Sequence, residues 1–497
     1  MLKMCLKRLR RRLRKLNKSG EISIYLSLVF MLIISLLLTM VSAARGAALQ
    51  VLFECAMESA LFSVFGEYNR ELLDRYDVFF IDMSYLSNSP DSKNLEIRLN
   101  NYFDDNFHPE NGTSLLIYSD FLDVTDTNVS LTEYELATDR FGEPFVDQVV
   151  EYMSNLVGEK DVKEMLNLVS VWDSYSIDAE RYNIIRDNCL PKITYNEEDT
   201  WEQTVIKDKL RMGLLPTTGV SDLVGFKADF SISHKSFNIS DSLLFRHKQH
   251  GSGNMNEFDF HPAQNIYFVE YIMSKFGNYL DKKEDTKLDY EAEYIIIGTN
   301  YDYNNFEQTI RTIYCIRCLE DLIALNLASD KVENVRAISE IISALIEVPE
   351  PIITELILVL WAGLEGVADC RRLVKGERVP FIKESSQIDV SIEGFFGFLA
   401  DIYGDMPQEG DVPTSGSDLP NITLSYQDYL RILLYFIPSS VKAYRTMDMI
   451  EQDLRISGTG NEYFRFDACA DKASAVFSVE TGFDYRFTGE KKYSYFE

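Results

Sequence analysis

A run of 23 residues without a charged side chain, Ile22–Ala44, lies between Glu21 and Arg45 and follows a head with nine basic residues and no acidic one in its first twenty positions. The basic residues are Lys3, Lys7, Arg8, Arg10, Arg11, Arg12, Arg14, Lys15 and Lys18. At ~1.5 Å per residue a helix of this length reaches roughly 35 Å, enough to cross a hydrocarbon core of about 30 Å. A soluble amphipathic helix would show a polar face, and this run offers only Ser and Thr. The apolar stretch exceeds the ~7–15 residues of a secretory signal core, although Val41-Ser42-Ala43 and Gly46-Ala47-Ala48 would suit a cleaved signal, which is the alternative. Basic charge on one flank keeps that flank in the cytoplasm. The reading is therefore a single-pass cell-membrane anchor, N-terminus cytoplasmic, with the bulk of the chain extracytoplasmic.

Charge sharpens that division. Removing the +9 of residues 1–20 from the formal −29 leaves −38 for residues 21–497. Such a surface repels nucleic acid and anionic lipid, so nucleic acid is excluded as a partner. With 46% hydrophobic and 12% aromatic residues the exterior part can still build a sizeable core. Six of the seven cysteines lie beyond the apolar run, too few and too irregular for a disulfide framework.

Beyond Arg45 the helical spacing continues through Leu49, Leu52, Phe53, Ala56, Met57, Ala60, Leu61, Val64 and Phe65, which predicts an amphipathic spine out to about Arg75. Asp77–Asp82 reads as a short strand, Leu115–Tyr118 as a strand-like piece, and 143–172 as helical. From Pro262 onward apolar positions three or four apart predict helices at Ile266–Phe276, Phe306–Leu327, Val332–Ile346, Ile352–Leu373, Tyr426–Ile437 and Ser439–Leu454, a set that suits a bundle. Within Ile352–Leu373 the apolar run Leu356–Leu364 is too short to span a bilayer and reads as a buried core helix. Gly404–Asn421 is a loop, and alternation after Tyr463 predicts a hairpin or small sheet. The fold class is α+β, predominantly helical. Its segments are a basic cytoplasmic part (1–20), a transmembrane helix (21–45), an extracytoplasmic α+β region (46–260), a helical bundle (261–457) and a C-terminal β segment (458–497).

Three groups could carry chemistry. Cys315-Ile-Arg-Cys318 has redox spacing but lies inside a helix rather than at its N-terminus, so structural cysteines are the reading. His247, His250 and His261, with Glu257 and Asp259 nearby and His234 upstream, could build a zinc site, against which the Gly- and Asn-rich loop argues for a solvated segment. Glu365 and Asp369 stand one helical turn apart, as paired carboxylates or as ion-pair partners of Arg371 and Arg372, and Glu291 with Glu293 carries the same ambiguity. There is no phosphate-cradling loop, nucleophile elbow or dinucleotide fingerprint. The expectation is a protein that is not an enzyme and needs no cofactor; a membrane-anchored metal-dependent hydrolase and a surface adhesin are the alternatives.

Several segments taken together resemble a known family: Ser23–Phe30 with Ser42–Arg45, Tyr68–Tyr76, Leu288–Gly298, Trp361–Lys383 and Leu424–Leu434. They are similar to an uncharacterised single-anchor family of Clostridia-type Gram-positive bacteria found beside Tad-type (tight adherence) pilus components, whose N-terminal part resembles TadE- and TadG-like pseudopilins. The resemblance implies an assembly component of a Tad-like pilus or secretion apparatus that binds membrane lipid and other membrane proteins of that apparatus. It implies no catalytic residue. The chain departs from the pilin pattern, because the fifth residue after Gly20 is Tyr25 and the nearest acid is Glu21, which argues against prepilin cleavage and filament packing. The expected contact is the membrane-proximal helix: Ala43, Ala44, Gly46, Ala47 and Ala48 allow close approach, and Leu49, Leu52, Phe53, Ala56 and Leu61 extend it. The alternative is that this stripe packs on the protein's own domain.

Overall fold

The computed structural model describes residues 2–108, 122–176, 198–200, 203–204, 207, 232–252, 260–381, 383–388, 390, 422–483 and 485–495. The strand-like piece at Leu115–Tyr118, the loop Gly404–Asn421, and Glu257 and Asp259 lie outside them. In chain order the elements are α1 (Leu2–Phe65), α2 (Arg70–Tyr76), β1 (Ile81–Asp82), α3 (Ser92–Asp105), β2 (Val124–Leu136), α4 (Glu143–Ser154), α5 (Glu159–Ser176), α6 (Pro262–Lys275), α7 (Glu291–Ile297), α8 (Asp302–Leu327), α9 (Ser329–Ile346), α10 (Glu350–Val374), β3 (Val379–Pro380), β4 (Thr423–Leu424), α11 (Tyr426–Phe436), α12 (Ser439–Ile456), β5 (Cys469–Thr481) and β6 (Arg486–Ser494). The protein is α+β and predominantly helical. It forms two compact units, one of residues 1–68, 89–135 and 470–497, the other of residues 69–88 and 136–469.

In the first unit the apolar run and the amphipathic stretch are one unbroken helix. The expected continuation to Arg75 stops at Phe65: Gly66 closes the last turn, and Asn69 restarts the chain by accepting from the N–H of Leu72 at the head of α2. Along Ile22–Val41 the large side chains are exposed, and α1 is long and apolar enough to cross a membrane. Beyond Leu49 one face is buried, with Leu49, Phe53, Ala56, Met57, Ala60, Leu61, Val64 and Phe65 each under a tenth exposed. That face receives α3, through Phe103 against Phe53 at 5.9 Å, and β6, through Phe487 against Phe53 at 6.3 Å. The expected terminal hairpin is β5–β6, antiparallel from Lys472↔Ser494 to Glu480↔Arg486, with β2 on the other edge of β5.

In the second unit every helix expected after Pro262 is present within a few residues of its expected ends. α6, α7, α11 and α12 pack with α4 and α8 around a core rich in Phe and Tyr, while α8, α9 and α10 enclose Trp361 and the aliphatic residues about it. α10 has a membrane-length composition, yet 72% of its apolar window is buried, so it is a core helix. Gly363 and Gly366 let α8 approach: a methyl on Gly366 would stand 3.0 Å from Cys318 Sγ. α7 ends at Gly298, whose φ of +88° suits a residue without a side chain. The Arg445 guanidinium lies over it and donates to the carbonyls of Ile295 (2.9 Å) and Ile296 (2.7 Å). A methyl at Gly298 would occupy the space of that guanidinium. Gly298→Ala is therefore expected to cost about 3 kcal/mol, from left-handed strain and a displaced cap, read as a fall in the urea midpoint.

Candidate functional site

The carboxylates singled out in the sequence are brought together in the second unit, but with other partners than the neighbouring arginines. Arg317, Glu320 and Asp321 share one face of α8; Glu365 and Asp369 share one face of α10. The Arg317 guanidinium donates from Nε to Asp369 Oδ2 at 2.8 Å, and also reaches Glu320, Asp321, the carbonyls of Pro380 and Phe381, and Tyr429 Oη. Lys383 Nζ meets Glu365, Asp369 Oδ1 at 2.8 Å and Asp321 Oδ1 at 3.5 Å. Glu365 also accepts from the N–H of Val390 at 2.9 Å. All six charged groups are buried. The expected pairing with Arg371 and Arg372 does not form: Arg371 follows Asp369 by two residues and points elsewhere on the helix, and Arg372 reaches Glu377 at 3.8 Å.

Two cations face four carboxyls, so electroneutrality asks for two protons. Burial pushes Glu320 up to about 7 and Asp321 well above the ordinary range, even beside Arg317 and Lys383. Burial acts the same way on Asp369, but Arg317 and Lys383 outweigh it and hold that carboxyl below its usual range. Asp369 is thus the ionised hub, with Glu320 and Asp321 the proton holders.

The Glu291–Glu293 pair is buried as well. Glu293 accepts from Tyr426 Oη at 2.7 Å and from the N–H of Tyr279 at 2.9 Å, and burial lifts it to about 7. Glu291 accepts from the N–H of Gly277 at 2.8 Å; burial and the nearby Asp453 raise it well above its usual value. Tyr76 Oη donates to Asp453 at 2.8 Å and Tyr294 Oη to Asp448 at 2.9 Å, and burial lifts Asp448 to about 7. The interior of this unit is laced by tyrosine–carboxyl pairs. Their partners are protein hydroxyls and backbone N–H groups, so the chemistry they perform is to lock helix to helix and hold protons.

The histidines are not gathered. His247, His250 and His261 are exposed; His250 Nδ1 stands 3.9 Å from Asp139, and His261 heads α6, where its backbone N–H donates to Gln264 at 3.0 Å. Among the described residues no group of three His, Cys, Asp or Glu side chains could hold a metal ion. Burial pushes the thiols of both Cys315 and Cys318 up, the opposite of what a reactive pair needs.

The expected contact helix divides by face. Leu49, Phe53, Ala56 and Leu61 are buried in their own unit and Leu52 is half-buried, so the alternative reading, packing on the protein's own domain, describes that stripe. Ala43, Ala44 and Ala47 are exposed, while Gly46 and Ala48 are half-buried. Ala44, Ala47, Val51, Cys55 and Phe62, three or four or seven apart, form an outward line, with Val51 62% and Phe62 69% exposed.

A family model, that of a family of unknown function (DUF5702), matches residues 211–481, more than half of the chain. The chain belongs to this family. No curated protein and no solved structure matches it. The DUF5702 match takes in the Arg317–Asp369–Lys383 cluster and its tyrosine–carboxyl neighbours except Tyr76, and it leaves out α1.

Proposed function

We propose that this DUF5702 chain is a membrane-anchored assembly component of a Tad-like pilus or secretion apparatus that acts by binding other membrane proteins. The observation that carries the reading is the division of labour along α1. Its first part exposes an apolar span, one face of its second part is the spine of an α/β unit, and among the described residues the opposite face is exposed. This is the layout of pilin-like subunits, and it leaves Ala44, Ala47, Val51, Cys55 and Phe62 to meet a partner helix. On this reading residues 1–20 lie in the cytoplasm and the acidic bulk outside, so protease added to intact protoplasts is expected to digest that bulk.

The double variant Ala47→Leu, Val51→Asp keeps the buried face and spoils the outward one. Co-purification of pilus proteins in mild detergent is expected to fall about tenfold, equivalent to ~1.4 kcal/mol. A bis-maleimide should capture partners through Cys55 in membranes of the parent chain and not of the variant. An unchanged partner set in both measurements refutes the reading.

A further inference from the structure

The terminal hairpin runs alongside the spine helix in a way that fixes the height of its tip. Tyr485 Oη donates to the carbonyl of Ser42 at 3.0 Å; a methyl on Gly489 would stand 3.0 Å from the Phe53 ring; Lys491 pairs with Glu58 at 2.7 Å; Tyr495 Oη donates to the carbonyl of Phe65 at 2.7 Å. Strand and helix therefore ascend together. Ten strand residues at ~3.3 Å cover about 33 Å, and the helix from Ser42 to Phe65 covers about 35 Å at ~1.5 Å per residue. The turn joining β5 to β6 ends up level with Ser42–Gly46, where the uncharged run of α1 stops. Its side chains suit that level. Phe483 is 43% exposed, with the Arg45 guanidinium 4.1 Å above its ring, and Arg486, three residues on, is exposed and pairs with Glu480 at 3.2 Å. Aromatic rings with cationic neighbours are the residues that settle among lipid headgroups.

We propose that the β5–β6 turn, through Phe483 and Tyr485, is a second membrane contact that enters the headgroup layer at the foot of α1 and fixes the rotation of the spine about its axis. This rests on α1 crossing the bilayer. The occupant is the lipid surface, because the turn adjoins the exposed apolar span on the same helix.

The test uses the full chain in phosphatidylcholine vesicles brominated at shallow or deep acyl positions, with single tryptophans added as Phe30→Trp, Phe483→Trp, Tyr485→Trp and Phe62→Trp and the parent chain as background. Phe30 lies inside the apolar run; Phe62 is exposed on α1 some 27 Å beyond Ala44 by helical rise. The added emission at 483, and at 485 if the first variant misfolds, is expected to be quenched more by shallow than by deep bromines, with 30 quenched by deep ones and 62 by neither. Quenching at 30 without quenching at 483 or 485 overturns the contact and leaves the anchor standing. No quenching at 30 overturns the anchor itself.

Discussion

Asp369→Ala is expected to destabilise the second unit by 3–5 kcal/mol, on the order of half of a typical domain's stability. The wild-type carboxylate is the one ionised group that both Arg317 and Lys383 touch, at the crossing of α8 and α10. Removing it leaves two buried cations facing Glu365 and two carboxyls whose burial opposes ionisation. One of those two must then give up its proton in a site that opposes it, and the cost appears as lost folding free energy. The cluster need not add net stability over an apolar core; breaking half of it is what costs. The double variant Arg317→Met, Asp369→Leu should therefore lose less than the two single variants together, with a coupling of roughly 1–3 kcal/mol in urea titrations followed through the buried Trp361. Full additivity, or a single-variant loss under about 1 kcal/mol, would show the cluster to be hydrated rather than sealed.

The helices of the second unit were legible because each lays an apolar stripe on its neighbours. Asp302–Leu327 and Glu350–Val374 repeat apolar residues at three and four, which is the period a helix buries. Where that signal is missing, so was the reading. Seven-residue α7 is buried on nearly every side, so no stripe exists to find. β2 runs Val-Thr-Asp-Thr-Asn-Val-Ser-Leu-Thr-Glu-Tyr-Glu-Leu with only Val129 and Leu136 buried, and a strand that hides so little shows no alternation. α3 buries Leu95, Leu99 and Phe103 at steps of four, a stripe thinned by the Asn and Asp around it. The site was legible by half. Glu365 and Asp369 were visible as one helical face, but Arg317 lies 52 residues from Asp369, and the packing of α8 on α10 brings them together. Residues far apart in the chain supply this interior: Tyr76, then Glu291 and Glu293, then Glu365, Asp369 and Lys383, then Tyr426 and Tyr429. The docked hairpin tip had no such sign, since Phe483 and Tyr485 acquire meaning only once β6 is laid along α1.

The same interior predicts an acid-favoured fold. Glu293, Glu320 and Asp448 each titrate near 7 in the folded protein, against about 4 when unfolded. Between those values the folded chain holds more protons than the unfolded one, so stability falls as pH rises, by up to ~1.4 kcal/mol per pH unit for each group. Burial raises Glu291 and Asp321 as well, and both act in the same direction. The carboxyls held low, Asp369 and Asp467, act in the other direction, but their contribution is lost only below about pH 4. The urea midpoint is therefore expected to peak near pH 5 and to drop steadily to pH 8. Glu293→Gln and Asp448→Asn replace protonated carboxyls with neutral groups of the same shape. Each should leave stability at pH 5 within about 1 kcal/mol of the parent and raise it at pH 8 by roughly 2–3 kcal/mol, because the amide cannot be forced to ionise in a dry interior. A flat profile in the parent, or amide variants that lose stability equally at both pH values, would mean these carboxyls are already charged and solvated at pH 5, and the proton-holding interior would have to be abandoned.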